Sequence, residues 1–186
     1  MRKSWGPLMT QPAWHDRRRW AACDQALALA LNRAAGRPRL CAACRAVSRL
    51  GDGGMWYAVI AVLPFAAGPA GWRCAVQMLI AGAIALAVYQ TLKHAIGRAR
   101  PFERCPDIRL HGPVLDRFSF PSGHTLHATG FALVLTYHFP GAALVVIPFT
   151  LLLALSRVVL GLHYPSDVAA GALLGMAIGW GAIGLL

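Results

Sequence analysis

Four long stretches without Asp, Glu, Lys or Arg constrain the fold of this chain of 186 residues more than any other feature. They are residues 53–72, 74–92, 125–156 and 168–186. A helix of about 17–25 apolar residues is long enough to cross a bilayer. The third stretch is too long for one crossing, and Pro140-Gly141 in its middle is a turn signal that divides it into a hairpin. The sequence therefore predicts five membrane-spanning helices after residue 50.

The composition supports an all-α polytopic membrane protein. Hydrophobic residues make up 57% of the chain and charged residues 13%, which is too apolar for an ordinary soluble domain. The net charge is +11, but the basic residues flank the apolar stretches instead of covering a polar surface. That distribution favours a membrane bilayer and a phosphorylated substrate as partners and argues against nucleic acid.

Residues 1–50 are predicted to be a basic N-terminal region, separate from a transmembrane part of residues 51–186. Apolar residues recur there at helical spacing, but the segment also carries Arg33, Arg37, Arg39, Arg45 and Arg49. An arginine at the centre of a membrane helix costs about 2.5–3.5 kcal/mol. Two amphipathic or interfacial helices, separated at residues 36–38, fit better than one crossing. A sixth crossing stays open, so the predicted fold is a bundle of about five to six transmembrane helices.

Three polar clusters lie at the ends of the apolar stretches. They read KHAIGRARP (93–101), PSGH (121–124) and SRVVLGLHYPSD (156–167). The connection 97–120 has no run that could span a membrane, so Lys93 and His124 lie on the same side. The hairpin crosses twice and returns Arg157 to that side. Counting crossings therefore places all three clusters at one membrane face.

The basic residues of these clusters predict an anion site. Lys93, Arg100 and Arg157 approach one place from different segments, and cations so arranged repel unless an anion lies between them. A phosphate group matches two guanidinium forks and one ammonium. Ser122 is predicted to be the N-cap of a helix, and Gly123 lets a ligand approach the free amides of its first turn.

The histidines of the clusters predict acid–base or nucleophilic chemistry. His124 lies in the first turn of that helix, where it can protonate a leaving oxygen. His163 and Asp167 are four residues apart, so the carboxylate can bond one imidazole nitrogen and leave the other as a base or nucleophile. An isolated pair of this kind is usually structural. Arg157, six residues before His163 and on the same face, favours the functional interpretation.

Other polar and small residues receive structural interpretations. Glu103, Asp107 and Asp116 are predicted to form solvated pairs with neighbouring arginines. One C-x-x-C pair supplies only half the ligands of a zinc site, so no metal site is predicted. Glycines at every fourth position of the last stretch predict a close helix contact; they are Gly171, Gly175 and Gly179.

With the three clusters complete and in order, the sequence resembles the type 2 phosphatidic acid phosphatase (PAP2) superfamily. That superfamily also includes vanadium haloperoxidases and bacterial acid phosphatases. Its motifs, K-x6-RP, PSGH and SR-x5-H-x3-D, match between Lys93 and Asp167 without a departure. The resemblance implies a PAP2/haloperoxidase-like helical core and places the chain near the bacterial membrane phosphatases.

The resemblance also implies a role for each motif residue. His163 would be the nucleophile that forms a phosphohistidine, Asp167 would orient it, and His124 would be the general acid. The phosphoryl oxygens would be bound by Lys93, Arg100, Ser122, Gly123 and Arg157. No metal and no other cofactor is implied, because these cationic and amide donors supply the charge stabilisation.

The expected function is hydrolysis of lipid phosphomonoesters or diphosphates at the membrane surface. Undecaprenyl diphosphate, phosphatidylglycerophosphate, phosphatidic acid and a lipid A phosphate are all compatible substrates, and family analogy favours undecaprenyl diphosphate. One alternative is a vanadate-dependent haloperoxidase-like enzyme that uses the same anion site. Another is a non-enzymatic membrane transporter whose polar clusters line a pathway. The sequence leaves the oligomeric state open.

The expected location is the bacterial inner membrane, with several passes. If nothing crosses before residue 50, every basic residue except Arg73 lies on the active-site face, and the positive-inside rule makes that face cytoplasmic. Many bacterial members of the resembled superfamily have this site in the periplasm, which a sixth crossing in residues 14–50 would allow. Because the arginines of the site bias the count, the active site is expected to face the periplasm.

Overall fold

The computed structural model describes the backbone of residues 13–185 and the side chains of residues 19–185, and the regular structure in this part of the chain is helical. The α-helices are α1 (Ala13–Asn32), α2 (Pro38–Leu50), α3 (Gly54–Ile96), α4 (Pro101–Arg104), α5 (Gly123–His138), α6 (Ala143–Val159) and α7 (Pro165–Gly184). Short 3-10 turns, Arg33–Gly36 and Pro140–Ala142, separate α1 from α2 and α5 from α6. The predicted all-α fold is confirmed.

Helix α3 consists of two halves that fold back on each other. Its backbone leaves helical geometry at Gly68, where φ is 54° and ψ is −135°. Glycine adopts this conformation readily, and Pro69 then begins the second half, where its missing N–H is not needed. Trp56 of the first half and Met78 of the second lie in one buried cluster. The chain thus turns within the first predicted stretch, at Gly68-Pro69.

Three helical stretches of the described chain are long and apolar enough to cross a membrane. They are Gly54–Arg104, Pro140–Val159 and Pro165–Gly184. Because α3 folds back at Gly68, the first stretch contributes two helical segments. Helix α5 has 16 residues and packs against α3, α6 and α7, which makes it the central helix of the bundle. Besides the short α4, five helical segments therefore follow residue 50. That all five cross the membrane stays a prediction.

The helices α1 and α2 pack on the outside of this bundle. Helix α2 lies against α6, while α1 contacts both α6 and α7. At the end of α1, the buried Asn32 side chain donates hydrogen bonds to the carbonyls of Arg109 (2.8 Å) and Val159 (2.9 Å) and accepts one from the amide of Arg109. The break between α1 and α2 lies where the sequence predicts it. The division of the chain at residue 50 stays a prediction.

Helices α5 and α7 pack together through glycine. A Cβ added to Gly175 would lie 2.3 Å from the carbonyl oxygen of Leu126, and one added to Gly179 would lie 2.8 Å from that of Gly130. Backbones approach this closely only where the contacting residue lacks a side chain. This contact holds the first turn of α5 at a set position beside the first turn of α7.

Substitution of Gly175 by alanine should destabilise the protein, because the added methyl group cannot fit without moving the backbone of α5. Overpacking of this kind costs about 1–3 kcal/mol. Gly181→Ala is the matched control, since nothing lies within 4 Å of a Cβ at that position of the same helix. Thermal unfolding in detergent micelles should show a lower midpoint for G175A and an unchanged or higher midpoint for G181A. Equal midpoints would contradict the close contact between α5 and α7.

Candidate active site

The three predicted clusters meet at one end of the bundle. Lys93 lies in the last turn of α3, Arg100 immediately precedes α4, and Arg157 lies in the last turn of α6. His163 lies in the loop between α6 and α7. Each of these four residues is at most 4% exposed to solvent. Buried cations are rare unless charged or polar groups compensate them, so their partners define the site.

Asp116 compensates two of these cations. Its Oδ1 atom accepts hydrogen bonds from Lys93 at 2.5 Å and from the Arg100 guanidinium at 2.8 Å. Burial by itself would raise the pKa of Asp116, but the hydrogen bonds and charges of Lys93 and Arg100 outweigh it and lower the pKa. The sequence predicts a solvated pair with a neighbouring arginine. That prediction is wrong, because the connection folds back and brings Asp116 onto buried cations distant in sequence.

Backbone carbonyls accept further hydrogen bonds from the same two cations. Lys93 also donates to the carbonyl of Phe118 at 3.0 Å, and Arg100 donates to the carbonyls of Asp116 (3.1 Å) and Leu162 (2.7 Å). Leu162 directly precedes His163. The side chain of Arg100 therefore joins the connection to the loop that carries the predicted nucleophile.

A residue of α2 holds the side chain of Arg157 in place. One of its terminal nitrogens donates a hydrogen bond to the hydroxyl of Ser48 in α2. Its Nε atom is buried and has no hydrogen-bond partner among the described residues. This N–H can therefore donate to an anion, and the anion-binding role of Arg157 stays a prediction.

The imidazole of His163 has the form that a nucleophile requires. Its Nδ1 atom lies 2.7 Å from the carbonyl oxygen of Ser119. A carbonyl can only accept, so Nδ1 carries the proton and Nε2 keeps its lone pair. Burial lowers the pKa of His163 to about 4; the charges of Arg157 and Arg100 act in the same direction, and Asp167 acts against them. The ring is therefore neutral at pH 7.

Asp167 acts on His163 through its charge. Its Oδ2 atom is 3.7 Å from Nδ1 of His163 and accepts a hydrogen bond from the amide of Tyr164 at 2.8 Å. Its Oδ1 atom is 2.6 Å from the guanidinium of Arg98. The sequence predicts a direct bond from Asp167 to the ring. In the structure the carbonyl of Ser119 makes that bond instead, because the carboxylate is engaged at the start of α7.

Arg98 is a residue of the site that sequence reasoning does not single out. Its guanidinium bridges Asp167 and Asp24, at 2.6 and 2.7 Å, and donates to the hydroxyl of Ser166 at 2.7 Å. It also lies 4.0 Å from the centre of the Tyr164 ring. Arg98 thereby links α1 to the first turn of α7. The only signal in the sequence is its place inside the first cluster, two residues before Arg100.

The first turn of α5 lies against the site. Ser122 occupies the N-cap position, as predicted, but its hydroxyl lies 3.0 Å from that of Thr125 and its amide donates to the carbonyl of Asp167 at 3.0 Å. Its N–H is therefore already used within the protein. Gly123 and His124 line the cavity of the site, and the amides of a first helical turn have no partner within the helix.

His124 is paired with a carboxylate that the sequence does not predict. Its Nε2 atom lies 2.6 Å from Oδ1 of Asp52, which belongs to the loop between α2 and α3. Asp52 is the only acidic residue between residues 25 and 102. Its isolated position at the mouth of an apolar stretch is the signal that could have pointed to it.

A cavity of about 440 Å³ joins this polar cluster to an apolar slot. Its polar end is lined by Asp52, Asp116, Gly123, His124 and His163. Its apolar walls come from both halves of α3 and from α5, and include Trp56, Ile60, Met78, Leu79, Leu86 and Phe131. Because Asp116 at the polar end bonds the buried Lys93 and Arg100, the site can take a molecule that is anionic at one end and hydrocarbon at the other.

Comparison with known proteins agrees with this geometry. The sequence model of the PAP2 superfamily matches residues 74–185, more than half of the chain and all three clusters. This chain belongs to the PAP2 superfamily. It is also 36% identical over 139 residues to the decaprenylphosphoryl-5-phosphoribose phosphatase of Mycolicibacterium smegmatis, and that alignment covers 74% of each protein.

Two crystal structures of other proteins share the fold. The transmembrane PAP2-type phosphatidylglycerolphosphate phosphatase of Bacillus subtilis superposes with a TM-score of 0.68 and 25% identity, covering 87% of this chain and 85% of that one. LpxE of Aquifex aeolicus superposes with a TM-score of 0.76 and 24% identity, covering 86% and 93%. The chain is therefore a multi-pass membrane protein with the PAP2 fold.

Replacement of Asp116 by asparagine should strengthen the binding of phosphate-like anions. The carboxylate shares its two cations with any anion in the site, and its loss raises the local positive charge by one. We expect orthovanadate to bind roughly fivefold more tightly, a change of about 1 kcal/mol. The shift of the thermal unfolding midpoint with vanadate concentration measures this without requiring turnover. Asp107→Asn, at an exposed aspartate of the same connection, is the control; weaker binding in D116N would contradict the expectation.

Proposed function

We propose that this membrane phosphatase removes a phosphate group from polyprenyl-linked lipid phosphates, monoesters or diphosphates, through a phosphohistidine intermediate. The observation that carries the proposal is one cavity with apolar walls at one end and, at the other, the neutral His163 and the carboxylate of Asp116. Asp116 in turn bonds the buried Lys93 and Arg100. A phosphoryl group fits the first end. The first isoprenoid units of the lipid fit the slot between α3 and α5.

The neutral ring of His163 supplies the nucleophile in this reaction. Its Nε2 atom attacks the phosphorus, and the bond from phosphorus to the leaving oxygen breaks. His124 gives a proton to that oxygen, so that the lipid product leaves as an alcohol or a monophosphate. Water then attacks the phosphohistidine and gives a proton to His124. This step releases inorganic phosphate and restores both histidines.

The buried cations stabilise the charge that spreads over the phosphoryl oxygens. Lys93, Arg100 and Arg157 supply positive charge, and the amides of Gly123 and His124 supply hydrogen bonds. In our proposal Ser122 holds the first turn of α5 in place. Asp167 acts at longer range, since its charge opposes complete loss of basicity at His163 while Ser119 orients the ring.

The chemistry of the lipid chain is proposed from two observations. The relative from Mycolicibacterium smegmatis is named for a polyprenyl-linked phosphosugar, and family analogy from the sequence favours undecaprenyl diphosphate. Both compounds combine a phosphate with a branched, unsaturated hydrocarbon chain. Aromatic and branched side chains such as Trp56, Ile60 and Phe131 line the slot and suit such a chain.

The two alternative functions have less support. The relative and the Bacillus subtilis structure are both named as phosphatases. The membrane-spanning stretches separate the chain from the soluble haloperoxidases of the superfamily. A transporter needs polar groups along a path across the membrane, whereas the buried cations of this protein gather at one end of the bundle.

A panel of lipid phosphates tests the proposal. Purified protein in detergent should release inorganic phosphate, without added metal, faster from decaprenylphosphoryl-5-phosphoribose and undecaprenyl diphosphate than from phosphatidylglycerophosphate or phosphatidic acid. His163→Ala should lower turnover by roughly 10³-fold or more, because the attacking atom is lost. His111→Ala, outside the cavity, is the control. Full turnover by H163A would refute the mechanism, and faster hydrolysis of the diacyl lipids would refute the polyprenyl assignment.

We further propose that the chain lies in the bacterial inner membrane with its active site at the periplasmic surface. The positive-inside rule applies to basic residues in the loops that flank the membrane-spanning helices. Lys93, Arg98 and Arg100 are instead engaged in ion pairs with aspartates, and Arg157 is buried. These four cations serve the site, so they do not argue for a cytoplasmic position.

Thiol labelling in intact cells tests this orientation. In a variant whose own cysteines are replaced by serine, Asp107→Cys lies in the connection at the active-site end, and Gly141→Cys lies in the turn at the opposite end. Both positions are exposed. A membrane-impermeant maleimide should label D107C in intact cells and G141C only after permeabilisation. The reverse pattern would place the active site in the cytoplasm.

A further inference from the structure

The pair formed by Asp52 and His124 lies outside the three clusters that define the family. The two residues are 72 positions apart, yet Nε2 of His124 and Oδ1 of Asp52 are separated by 2.6 Å. The side chain of His124 is 13% exposed and that of Asp52 is 34% exposed. Both line the cavity beside His163. The carboxylate is therefore part of the site and not a chance contact on the outer surface.

The loop that carries Asp52 is held in place on both sides. A Cβ added to Gly51 would lie 2.5 Å from a methyl group of Leu153, so the loop packs directly on α6. Gly53 has a φ of 109°, a conformation that favours glycine. One turn before the loop, Ser48 binds Arg157. The segment 48–53 therefore brings one hydroxyl and one carboxylate to the site.

A negative charge at Asp52 favours the protonated form of the His124 ring. A general acid must carry its proton when the substrate binds. Burial and the guanidinium of Arg157 oppose a positive charge on the His124 ring, whereas the carboxylates of Asp52 and Asp116 favour it. Of these three groups, Asp52 is the one that contacts the ring directly. A charge-assisted hydrogen bond both stabilises the imidazolium and orients it.

We propose that Asp52 is a positioning residue: its hydrogen bond to Nε2 fixes the imidazole of His124, favours the protonated ring against burial and Arg157, and directs Nδ1 at the leaving oxygen. The inference rests on the proposed function, in which His124 is the general acid. With Nε2–H donated to Asp52, the proton on Nδ1 is the one that moves to the leaving oxygen as its bond to phosphorus breaks. The ring is then neutral, keeps its bond to Asp52, and accepts a proton from water at Nδ1 in the hydrolytic step.

The dependence of turnover on the leaving group tests this role. A polyprenyl alcohol is a poor leaving group and needs a proton, whereas 4-nitrophenolate leaves without one. Asp52→Asn should lower kcat roughly 10²-fold for a polyprenyl phosphate, the usual size of a general-acid contribution, and less than about threefold for 4-nitrophenyl phosphate. His124→Ala should show the same contrast. The KM of either substrate should change little, because the phosphate-binding cations are intact.

Further variants separate positioning from a structural effect. Asp52→Glu restores the charge and should recover most of the lost kcat, and D52N combined with H124A should lose no more than H124A alone. Asp107→Asn is the control for removing a negative charge. Equal losses on both substrates, or no loss on either, would overturn the inference while leaving the phosphatase in place. If the wild-type protein released no phosphate from any substrate, the proposed function itself would fail.

Discussion

Burial of cations at one end of an apolar helical bundle is the constraint on which the rest of this structure depends. Lys93, Arg100 and Arg157 are nearly inaccessible, and such charges are strongly destabilising unless other groups compensate them. The compensating groups come from separate parts of the chain: Asp116 from the connection and Ser48 from α2. The cations thus draw these segments together, and each segment then contributes a wall of the site.

The same electric field that favours a bound phosphoryl group sets the state of the nucleophile. Burial and two nearby guanidinium groups keep His163 neutral, and the carbonyl of Ser119 decides which ring nitrogen carries the proton. Near His124 a carboxylate opposes that field at hydrogen-bond distance. The two histidines in this cavity therefore differ in their hydrogen-bond partner, which is a carbonyl at His163 and a carboxylate at His124.

Much of the fold and part of the site could be predicted from the sequence. The lengths of the uncharged stretches reflect the thickness of the bilayer, so they predict the helices that follow residue 50 and the shared face of the three clusters. The glycine spacing in α7 predicts its close packing. Asp52, Asp116 and Arg98 could not be assigned in the same way, because the partners in these pairs are 16 to 74 residues away and no local pattern records such a pairing.

The sequence by itself determined which chemistry is available: three cations, two histidines and an aspartate at spacings that topology brings to one membrane face. The lengths of the uncharged stretches and the helical spacing of their residues carry that information. They fix where each helix begins and ends, and so which polar residues lie at the same membrane face. Only the tertiary structure decided how those groups are paired. Asp167 bonds Arg98 and Tyr164 instead of the His163 ring, and the Ser122 amide is used within the protein. Hydrogen bonds depend on fractions of an ångström between segments, and that precision arises only when the helices pack.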